Sequence, residues 1–506
     1  MQNKKDFTAI LLHTVFAVTL CTTLLSGLQI ATLTRVELQP LKAILPQGLV
    51  HSWHLLGASG VLAVFITFIL FKQYKKTKIS LLAYFIFYAA IGSGAALYYG
   101  VLPSLFTPTL HYCFSILFTA WIVLHIYNKT VKQPLKAYLL PSTYKGFAGK
   151  KTLLILLVAV GAFFAVQEII NKTNTHTLKV RKISNNIKIN IDAKADEEAW
   201  KEAEKLTIHT FGGENFIHGA TDITVEALHN DTEIYFHISW ADPTKSTIHL
   251  PLVKTKKGWT IAQHGLYNFN ETKYYEDKLA VMFSKQPSFG GAKTAHLGSK
   301  PLKNKPANWH KKGYHYSSDG TIMDLWHWKA TRSNHMHLAT DSYFGLPTQP
   351  QVAQRRYTAG YHSDPKLSGG FTMNYKWYKK EYIVPKRLPA ERGTLKKYQN
   401  YSTNLQWMLP WYDTIPYSKQ ADTYPVGTVM PSVLYTSNRY EGDIADVQAY
   451  GAYNNGKWSV EFVRFLKTDS KFDLELKSGI YMWISAFDHA QVGHTRHNRA
   501  IKLELQ

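Results

Sequence analysis

The chain has 506 residues, enough for two or three domains, and its 45% hydrophobic content is concentrated in the first third of the sequence. The formal net charge of +23 comes from lysines in short loops and among aromatic residues. Because no basic helix collects these charges, nucleic-acid binding is not expected. Only two cysteines occur, Cys21 and Cys113, and both lie in apolar segments, which argues against a disulfide framework and a thiolate metal site.

Five apolar segments have the length of about 18 to 20 residues that a membrane span requires. They lie near residues 7–31, 47–71, 79–102, 106–127 and 152–170. The first is too long for the core of a signal peptide and is followed by no clear small-residue cleavage site, so we expect it to be retained. The sequence therefore predicts an N-terminal all-α transmembrane bundle of four helices plus a fifth helix.

The lysines of the connecting loops predict the orientation of these helices. Lysines are dense at the N-terminus, between the second and third segments and between the fourth and fifth, whereas the first intervening outer loop has only Arg35 and Lys42. Positively charged loops stay in the cytoplasm. We therefore expect a multi-pass protein of a bacterial inner (cytoplasmic) membrane, with a cytoplasmic N-terminus and everything after about residue 171 in the periplasm.

The rest of the chain has the pattern of a β protein. The segments TEIYFHISW and KWSVEFVRFL alternate apolar and polar residues, and turn signals recur at Asn454-Asn455-Gly456 and Asp319-Gly320. The stretch 286–320 is rich in Gly, Lys, Pro and Ser and is predicted to be a long loop. A mostly-β antiparallel sandwich follows from this pattern. The predicted domains are 1–130, the four-helix domain; 131–174, a cytoplasmic loop with the fifth helix; and 175–506, the sandwich.

Histidines inside the apolar segments are the most specific signal, because ionisable side chains in a bilayer are costly and mark functional sites. His13 lies on the first segment, His54 on the second, and His111 and His125 on the fourth. At ~100° and ~1.5 Å per residue, the two histidines of the fourth segment share one face and lie ~21 Å apart. This separation suits two haem groups, one near each membrane surface.

The predicted orientation places these histidines at matching depths. His13 and His125 lie near the cytoplasmic surface, and His54 and His111 lie near the outer surface. Iron held by two imidazoles is a low-spin electron-transfer centre. His51 is an alternative to His54, but it is closer to the outer edge and lies on a neighbouring face. The sequence contains no Cys-x-x-Cys-His motif, so any haem is held non-covalently.

The first 130 residues resemble a known family through LLHTVFAVTLCTTLLSGLQ, HSWHLLGASGVL and HYCFSILFTAWIVLHIY. These segments are similar to the first, second and fourth spans of the di-haem membrane cytochrome b subunits of formate dehydrogenase and nickel-iron hydrogenase. The resemblance implies that His13, His54, His111 and His125 are the axial ligands of two b haems. It also implies contact with quinone at one membrane surface.

The second part resembles another family through IDAKADEEAWKEAEKLTI, VEALHNDTEIYFHISWADPTKS, YYEDKLAVMFS, DLWHWKATRSN and GKWSVEFVRFLKT. These motifs are similar to the haem-binding domain of the ethylbenzene dehydrogenase gamma subunit and its relatives in the dimethylsulfoxide-reductase group. The resemblance implies a β-sandwich related to carbohydrate-binding modules, holding one haem b. Glu276 and Asp277 then belong to the haem motif rather than to an acid/base pair.

The resemblance also implies ligands for this third haem. The methionine of its EDKLAVMF motif corresponds to Met282, and the family's second ligand is a lysine near the C-terminus, for which no match is evident. His494, His497 or a lysine could replace it, and His497 is favoured. His327 is expected to line the haem or to orient a propionate, while its neighbours Trp326 and Trp328 pack.

Together these features predict a b-type cytochrome that transfers electrons between the quinone pool and a periplasmic redox protein or oxidoreductase subunit. No substrate chemistry of its own is evident. The alternative is a membrane-anchored binding module for glycans or another ligand, without haem in the outer domain. A haem-based sensor would need a cytoplasmic signalling domain, which the sequence does not predict. The pair His335 and His337 is weak support for a separate metal site.

Overall fold

The computed structural model divides the chain into two compact units, residues 1–175 and 176–506. Each unit is described by itself. The residues that the structure describes are 7–32, 35–46, 50–71, 78–99, 107–132, 150–173, 175–287, 294–297, 314–317, 320–351, 357–379 and 382–506.

The first unit is helical, as the sequence predicts. Its helices are α1 (Phe7–Ala31), α2 (Val50–Leu70), α3 (Lys78–Tyr99), α4 (Thr107–Lys132) and α5 (Lys150–Thr173). All five are long and apolar enough to cross a membrane, so the described residues contain the five candidate spans that the sequence predicts. Most of the lysine-rich segments that set the predicted orientation, 1–6, 72–77 and 133–149, lie outside the described residues.

The helices pack in pairs, α1 on α2 and α3 on α4, with α5 on α2. Aromatic rings join the two pairs. The ring of Phe65 on α2 lies 4.3 Å from that of Phe87 on α3, and Phe87 lies 5.2 Å from Phe118 on α4. Each of these three side chains is at least 90% buried, and Leu20 of α1 is buried in the same cluster, so the bundle has an apolar centre shared by four helices.

Large apolar side chains also cover the outside of this unit. Leu124 on α4 is 58% exposed and Leu157 on α5 is 60% exposed, and many similar residues accompany them. An apolar surface of this extent would be unfavourable in water, whereas a lipid bilayer solvates it. The first unit is therefore built as a membrane protein.

The second unit is mostly β, with one short helix, α6 (Glu198–Lys201). Its strands are β1 (Thr175–Lys182), β2 (Leu206–Phe211), β3 (Ala220–His229), β4 (Glu233–Ala241), β5 (Leu252–Thr255), β6 (Gly258–Ile261), β7 (Lys278–Ser284), β8 (Thr294–Leu297), β9 (Tyr314–Ser317), β10 (Met323–Lys329), β11 (Thr340–Phe344), β12 (Tyr361–Ser363), β13 (Ser368–Met373), β14 (Tyr375–Lys379), β15 (Tyr382–Pro385), β16 (Arg387–Pro389), β17 (Met408–Pro410), β18 (Thr414–Pro416), β19 (Val429–Met430), β20 (Val433–Glu441), β21 (Gln448–Asn454), β22 (Lys457–Phe465), β23 (Tyr481–Phe487) and β24 (Ala500–Leu505).

Twelve of these strands form one large sheet in the order β12-β11-β10-β7-β23-β24-β1-β3-β4-β22-β21, with β2 paired to β3. The sheet folds over on itself, so that its two halves face each other across the main core. Phe236 on β4 packs 5.8 Å from Phe283 on β7, and Trp326 on β10 packs 6.1 Å from Phe462 on β22. This arrangement is the two-layered β architecture that the strand pattern predicts.

Local sequence explains the hairpin between β21 and β22. Asn455 and Gly456 both adopt positive φ angles, 49° and 76°, which is the conformation that two-residue hairpins favour. The prediction of a continuous loop over 286–320 was wrong in part, because β8 and β9 pair within it as an antiparallel hairpin. Residues 288–293, 298–313 and 318–319, including His310 and Asp319, lie outside the described residues.

Candidate functional site

The structure places the rings of His54 on α2 and His111 on α4, which the sequence predicts to lie at matching depths, next to each other. Their ring centroids lie 6.2 Å apart, and the ring planes are nearly perpendicular, at 83°. A metal ion bound by two imidazoles lies about 2 Å from each nitrogen, and each centroid lies about 1 Å behind its nitrogen, which gives a centroid separation of about 6 Å. The spacing of the pair therefore fits two axial ligands of one iron.

Each of these two histidines is held in the same way by the helix packed beside it. Nδ1 of His54 lies 2.9 Å from the carbonyl oxygen of Thr23 on α1, and Nδ1 of His111 lies 3.0 Å from that of Ala90 on α3. With Nδ1–H donating to a carbonyl, the lone pair belongs to Nε2. That tautomer, assigned from the hydrogen bonds, is the one a metal-binding imidazole uses.

A serine and a glycine on the supporting helix also lie beside each of the two histidine rings. The hydroxyls of Ser26 and Ser93 both lie 3.4 Å from Nδ1 of the histidine that their helix supports. One residue further along, Gly27 and Gly94 give room for the rings: an added Cβ would lie 3.0 Å from Cε1 of His54 and 2.8 Å from Cε1 of His111. Sequence reasoning missed these residues, although the Ser-Gly pair recurs on α1 and α3.

Because of this close approach, Gly94→Ala is expected to push the His111 ring out of place and to weaken the haem binding that the sequence predicts for this pair roughly 10–100-fold, which is the usual effect of changing a residue that positions a metal ligand. Gly92→Ala is the matched control on the same helix, since a Cβ there meets nothing within 4 Å. Haem retention can be measured by transfer to apomyoglobin. Equal retention in both variants would mean that the ring position is unimportant.

The other predicted membrane pair has a different environment. The His13 ring lies 5.3 Å from Phe68, and the His125 ring stacks on Trp121 at 5.2 Å. Both histidines are exposed. Their role as a pair remains a prediction. His51, the alternative to His54, lies three residues earlier on α2 and is half-buried.

In the second unit, Met282 lies on the face of β7 that points away from the main core. Leu279, Val281 and Phe283 are fully buried in the core, whereas Met282 is half-buried on the opposite face. Its cross-strand neighbours are Leu325 on β10 and Trp483 on β23. A thioether that only filled the core would belong on the other face, so this position leaves Met282 available to a ligand.

His497 has both ring nitrogens engaged by the backbone. The Ile484 N–H donates to Nε2 at 3.0 Å, and Nδ1–H donates to the carbonyl oxygen of Arg499 at 2.8 Å. The ring also stacks on Trp483 at 5.0 Å. Burial lowers the pKa of His497 to about 4. Neither ring nitrogen is therefore free to bind iron, which argues against His497 as the second axial ligand of the third haem. Instead, its contacts give His497 a structural position beside β23.

His494 keeps a nitrogen available. Its Nδ1 contacts the carbonyl oxygen of Thr495 at 2.7 Å, which leaves the lone pair on Nε2. Its ring packs 5.1 Å from Phe487, which also stacks on His327 at 5.6 Å. Nε2 of His327 is buried and has no hydrogen-bond partner among the described residues. Burial lowers the pKa of both histidines, so both imidazoles are neutral.

Basic groups surround these rings. Lys278 lies 3.9 Å over the Phe487 ring and donates to the carbonyl oxygen of Gln491. Lys329 shares the face of His327, and Arg332 follows shortly after β10. Because Arg332 is already paired with Glu276, Lys278 and Lys329 are the basic groups here that can neutralise the carboxylates of a bound anionic group. The unpartnered buried nitrogen of His327 and the lysines beside it are suited to the edge of a haem, and the thioether of Met282 and Nε2 of His494 are donors of the kind that haem iron takes.

The two acidic residues of the motif fix the base of β7. Both Glu276 and Asp277 are fully buried. Glu276 accepts the backbone N–H groups of Thr331 and Arg332 and pairs with the Arg332 guanidinium. Asp277 accepts from the Ser246 N–H and from the indole of Trp458. Through these bonds, the two carboxylates hold the start of β7 against the segments of Ser246, Thr331 and Trp458.

Comparisons with known proteins bear on the second unit. Two solved structures of a carbohydrate-binding module family 9 from Caldicellulosiruptor kristjanssonii, one with cellotriose and one with glucose, align with 65% of this chain and with 94% and 96% of their own. Their identity is 7% and their TM-score 0.22. No curated protein matches the chain.

A family model gives a more decisive result. The model described as ethylbenzene dehydrogenase matches residues 197–499, which is more than half of the chain. The matched range contains the strand of Met282, the buried pair Glu276 and Asp277, and the segment of His494 and His497. The chain therefore belongs to the ethylbenzene dehydrogenase family.

Proposed function

We propose that this chain is a membrane-bound b-type cytochrome that transfers electrons between the quinone pool and a periplasmic redox partner. The apposition of His54 and His111, each held through Nδ1 by a neighbouring helix, is the observation that carries this proposal. Bound haem would supply reversible one-electron chemistry. The protein would hold and orient that group and keep water from it.

The membrane part would hold two b haems, one at His54 and His111 and one at His13 and His125. Near the first pair, Arg35 donates to the Thr109 hydroxyl at 3.2 Å and lies 4.5 Å over the Tyr112 ring. Thr109 and Tyr112 flank His111 on α4, and we expect the guanidinium that contacts them to neutralise a haem propionate. The lysine-rich loops support a cytoplasmic N-terminus in a bacterial inner membrane.

The ethylbenzene dehydrogenase-type unit would hold a third haem and would lie in the periplasm. Met282 would supply one axial ligand, since it is the thioether on the open face of β7. His494 would supply the other, since its Nε2 is free of the backbone contacts that occupy His497. His327 and the nearby lysines would contact the edge of the group.

Haem counting on the purified full-length protein tests this proposal. We expect three b haems per chain in the wild type, and one fewer in Met282→Leu and in His494→Ala. Met482→Leu is the matched control, because Met482 lies on the core face of β23 and is fully buried. A Met-to-Leu exchange keeps volume and costs less than about 1.5 kcal/mol.

Two results would contradict the proposal at different levels. A colourless full-length protein, made with adequate haem supply, would reject the cytochrome function altogether. A coloured protein whose haem content is the same in Met282→Leu and Met482→Leu would confine haem to the membrane part. The outer unit would then be better explained as a binding module, the alternative that the sequence leaves open.

A further inference from the structure

Five aspartates surround one arginine in the large sheet. The group lies near the start of β10, whereas His327 lies near the end of that strand. Asp324 lies near the start of β10, Asp341 on β11, Asp364 just after β12, Asp446 before β21 and Asp473 in the loop after β22. Arg464, fully buried at the end of β22, donates to Asp324 at 2.6 Å and lies 3.5 Å from Asp473. Five carboxylates and one guanidinium leave an excess of negative charge in a buried place.

The hydrogen bonds within the cluster leave many oxygens unused. Asp324 accepts from the Leu474 N–H, Asp341 from the Ser342 N–H, and Asp473 from the Thr468 hydroxyl, but each does so through one oxygen. Within this cluster, the buried oxygens without a hydrogen-bond partner in the described part of the chain are one each of Asp324, Asp341, Asp446 and Asp473 and both of Asp364.

Asp364 is the most informative of the five. It is only 3% exposed, and neither of its oxygens has a hydrogen-bond partner in the described part of the chain. A buried carboxylate without donors loses its hydration with no compensation, which is strongly unfavourable unless a cation replaces the water. Ligand oxygens of Asp341, Asp364 and Asp473 all lie within 4.8 Å of one another. Asp364 is therefore aimed at a point that two other carboxylates share.

We propose that Asp341, Asp364 and Asp473 bind a calcium ion, with Asp324 and Asp446 completing the site. Calcium takes six to eight oxygen ligands at about 2.3–2.6 Å, so ligand oxygens on one ion lie within about 5 Å of each other. An all-oxygen set excludes the metals that prefer nitrogen or sulfur. Magnesium retains several waters and uses one or two carboxylates, which suits five aspartates poorly.

A second acidic group in this unit does not carry the same inference. Asp277, Asp488 and His489 also lie close together. However, both oxygens of Asp277 already accept hydrogen bonds, from the Ser246 and His489 N–H groups and from Trp458. Its carboxylate is satisfied by the protein, whereas that of Asp364 is not.

The position of the proposed calcium site gives it an access route and a structural role. Asp446 is half-buried and lines a surface cavity together with Asp443, Lys467 and Asp469. The ligands come from the β10–β12 edge of the sheet and from the segments flanking β21 and β22. A bound ion would therefore fasten the two ends of the large sheet to each other.

Calcium binding can be tested on the full-length protein in detergent. We expect about one calcium per chain by elemental analysis, lost after EGTA treatment. Calcium should raise the melting temperature of the β unit by about 5 °C at a concentration a hundred times its Kd, and magnesium should not. In Asp364→Asn and in Asp446→Asn the rise should be much smaller or absent. Asp413→Asn is the control, because Asp413 is exposed and outside the cluster.

The competing explanation is a shared proton. Burial and the neighbouring Asp473 raise the pKa of Asp364 to about 8, so a proton could bridge the two carboxylates. The proposal is overturned if the wild type holds no calcium and its melting temperature does not respond to added calcium. It is equally overturned if Asp364→Asn and Asp446→Asn respond to calcium as fully as Asp413→Asn.

Discussion

Replacing His54 or His111 with alanine is expected to remove the same haem, so the double variant should lose no more haem than either single variant. The reason is the 6.2 Å separation of the two rings, which suits two ligands of one iron. The number of haems per chain, measured by the pyridine haemochrome method, should be compared between the wild type, the two single variants and the double variant. Residues that act as one unit are non-additive in this way.

Two further measurements separate loss of a ligand from loss of the fold. Imidazole added to His111→Ala should restore part of the lost absorbance, because the free ring can occupy the space that the side chain leaves. His51→Ala should keep its haem, as His51 is the alternative that the geometry does not select. If the double variant loses two haems while each single variant loses one, His54 and His111 serve different irons.

Much of the fold follows from local sequence. The length of an apolar segment determines whether a helix can span a bilayer, so the five helices were predictable from windows of the sequence alone. The alternation of β4 and β22 and the positive φ angles of Asn455 and Gly456 are local in the same sense. The closing of the sheet onto itself depends on contacts such as that between Phe236 and Phe283, which are too far apart in the sequence for any local pattern to reveal.

The candidate sites were predictable from sequence only where they depend on position along a single helix, and not where they depend on contacts between distant segments. Depth along a helix is such a position, and the rings that it places at one level, those of His54 and His111, lie 6.2 Å apart. The choice between His494 and His497 depends on the N–H of Ile484, which lies 13 residues before His497. Because β24 does not pair with this part of β23, the Ile484 N–H donates to the His497 ring instead. The aspartate cluster draws on separate segments from 324 to 473, so only the folded chain assembles it.

These positions share one physical requirement: a buried polar group needs a partner. Glu276, Asp277 and His497 have found theirs within the protein, and they hold strands in place. His327 and Asp364 have none among the described residues. For these two groups, which are among the buried polar groups without a protein partner, we propose a haem contact and a calcium ion, respectively.

Glu276→Ala is expected to destabilise the β unit by about 3–5 kcal/mol, the cost of leaving a buried charge unpaired. Arg332 would keep its charge without a counter-ion, and the N–H groups of Thr331 and Arg332 would lose their acceptor. Although burial raises it, Arg332 and His249 lower the pKa of Glu276 well below its usual range, so the carboxylate is ionised. The melting temperature of the variant, followed by tryptophan fluorescence, should be about 10 °C lower than that of the wild type.

Removing both partners gives the sharper comparison. In Glu276→Gln combined with Arg332→Met, neither charge remains, so most of the lost stability should return, as it does when apolar groups replace other buried ion pairs. Glu391→Ala is the control, because Glu391 is exposed and its side chain makes no capping bond, so its effect should stay within about 0.5 kcal/mol. A double variant as unstable as Glu276→Ala would mean that the backbone contacts of the carboxylate, rather than its charge, secure the base of β7.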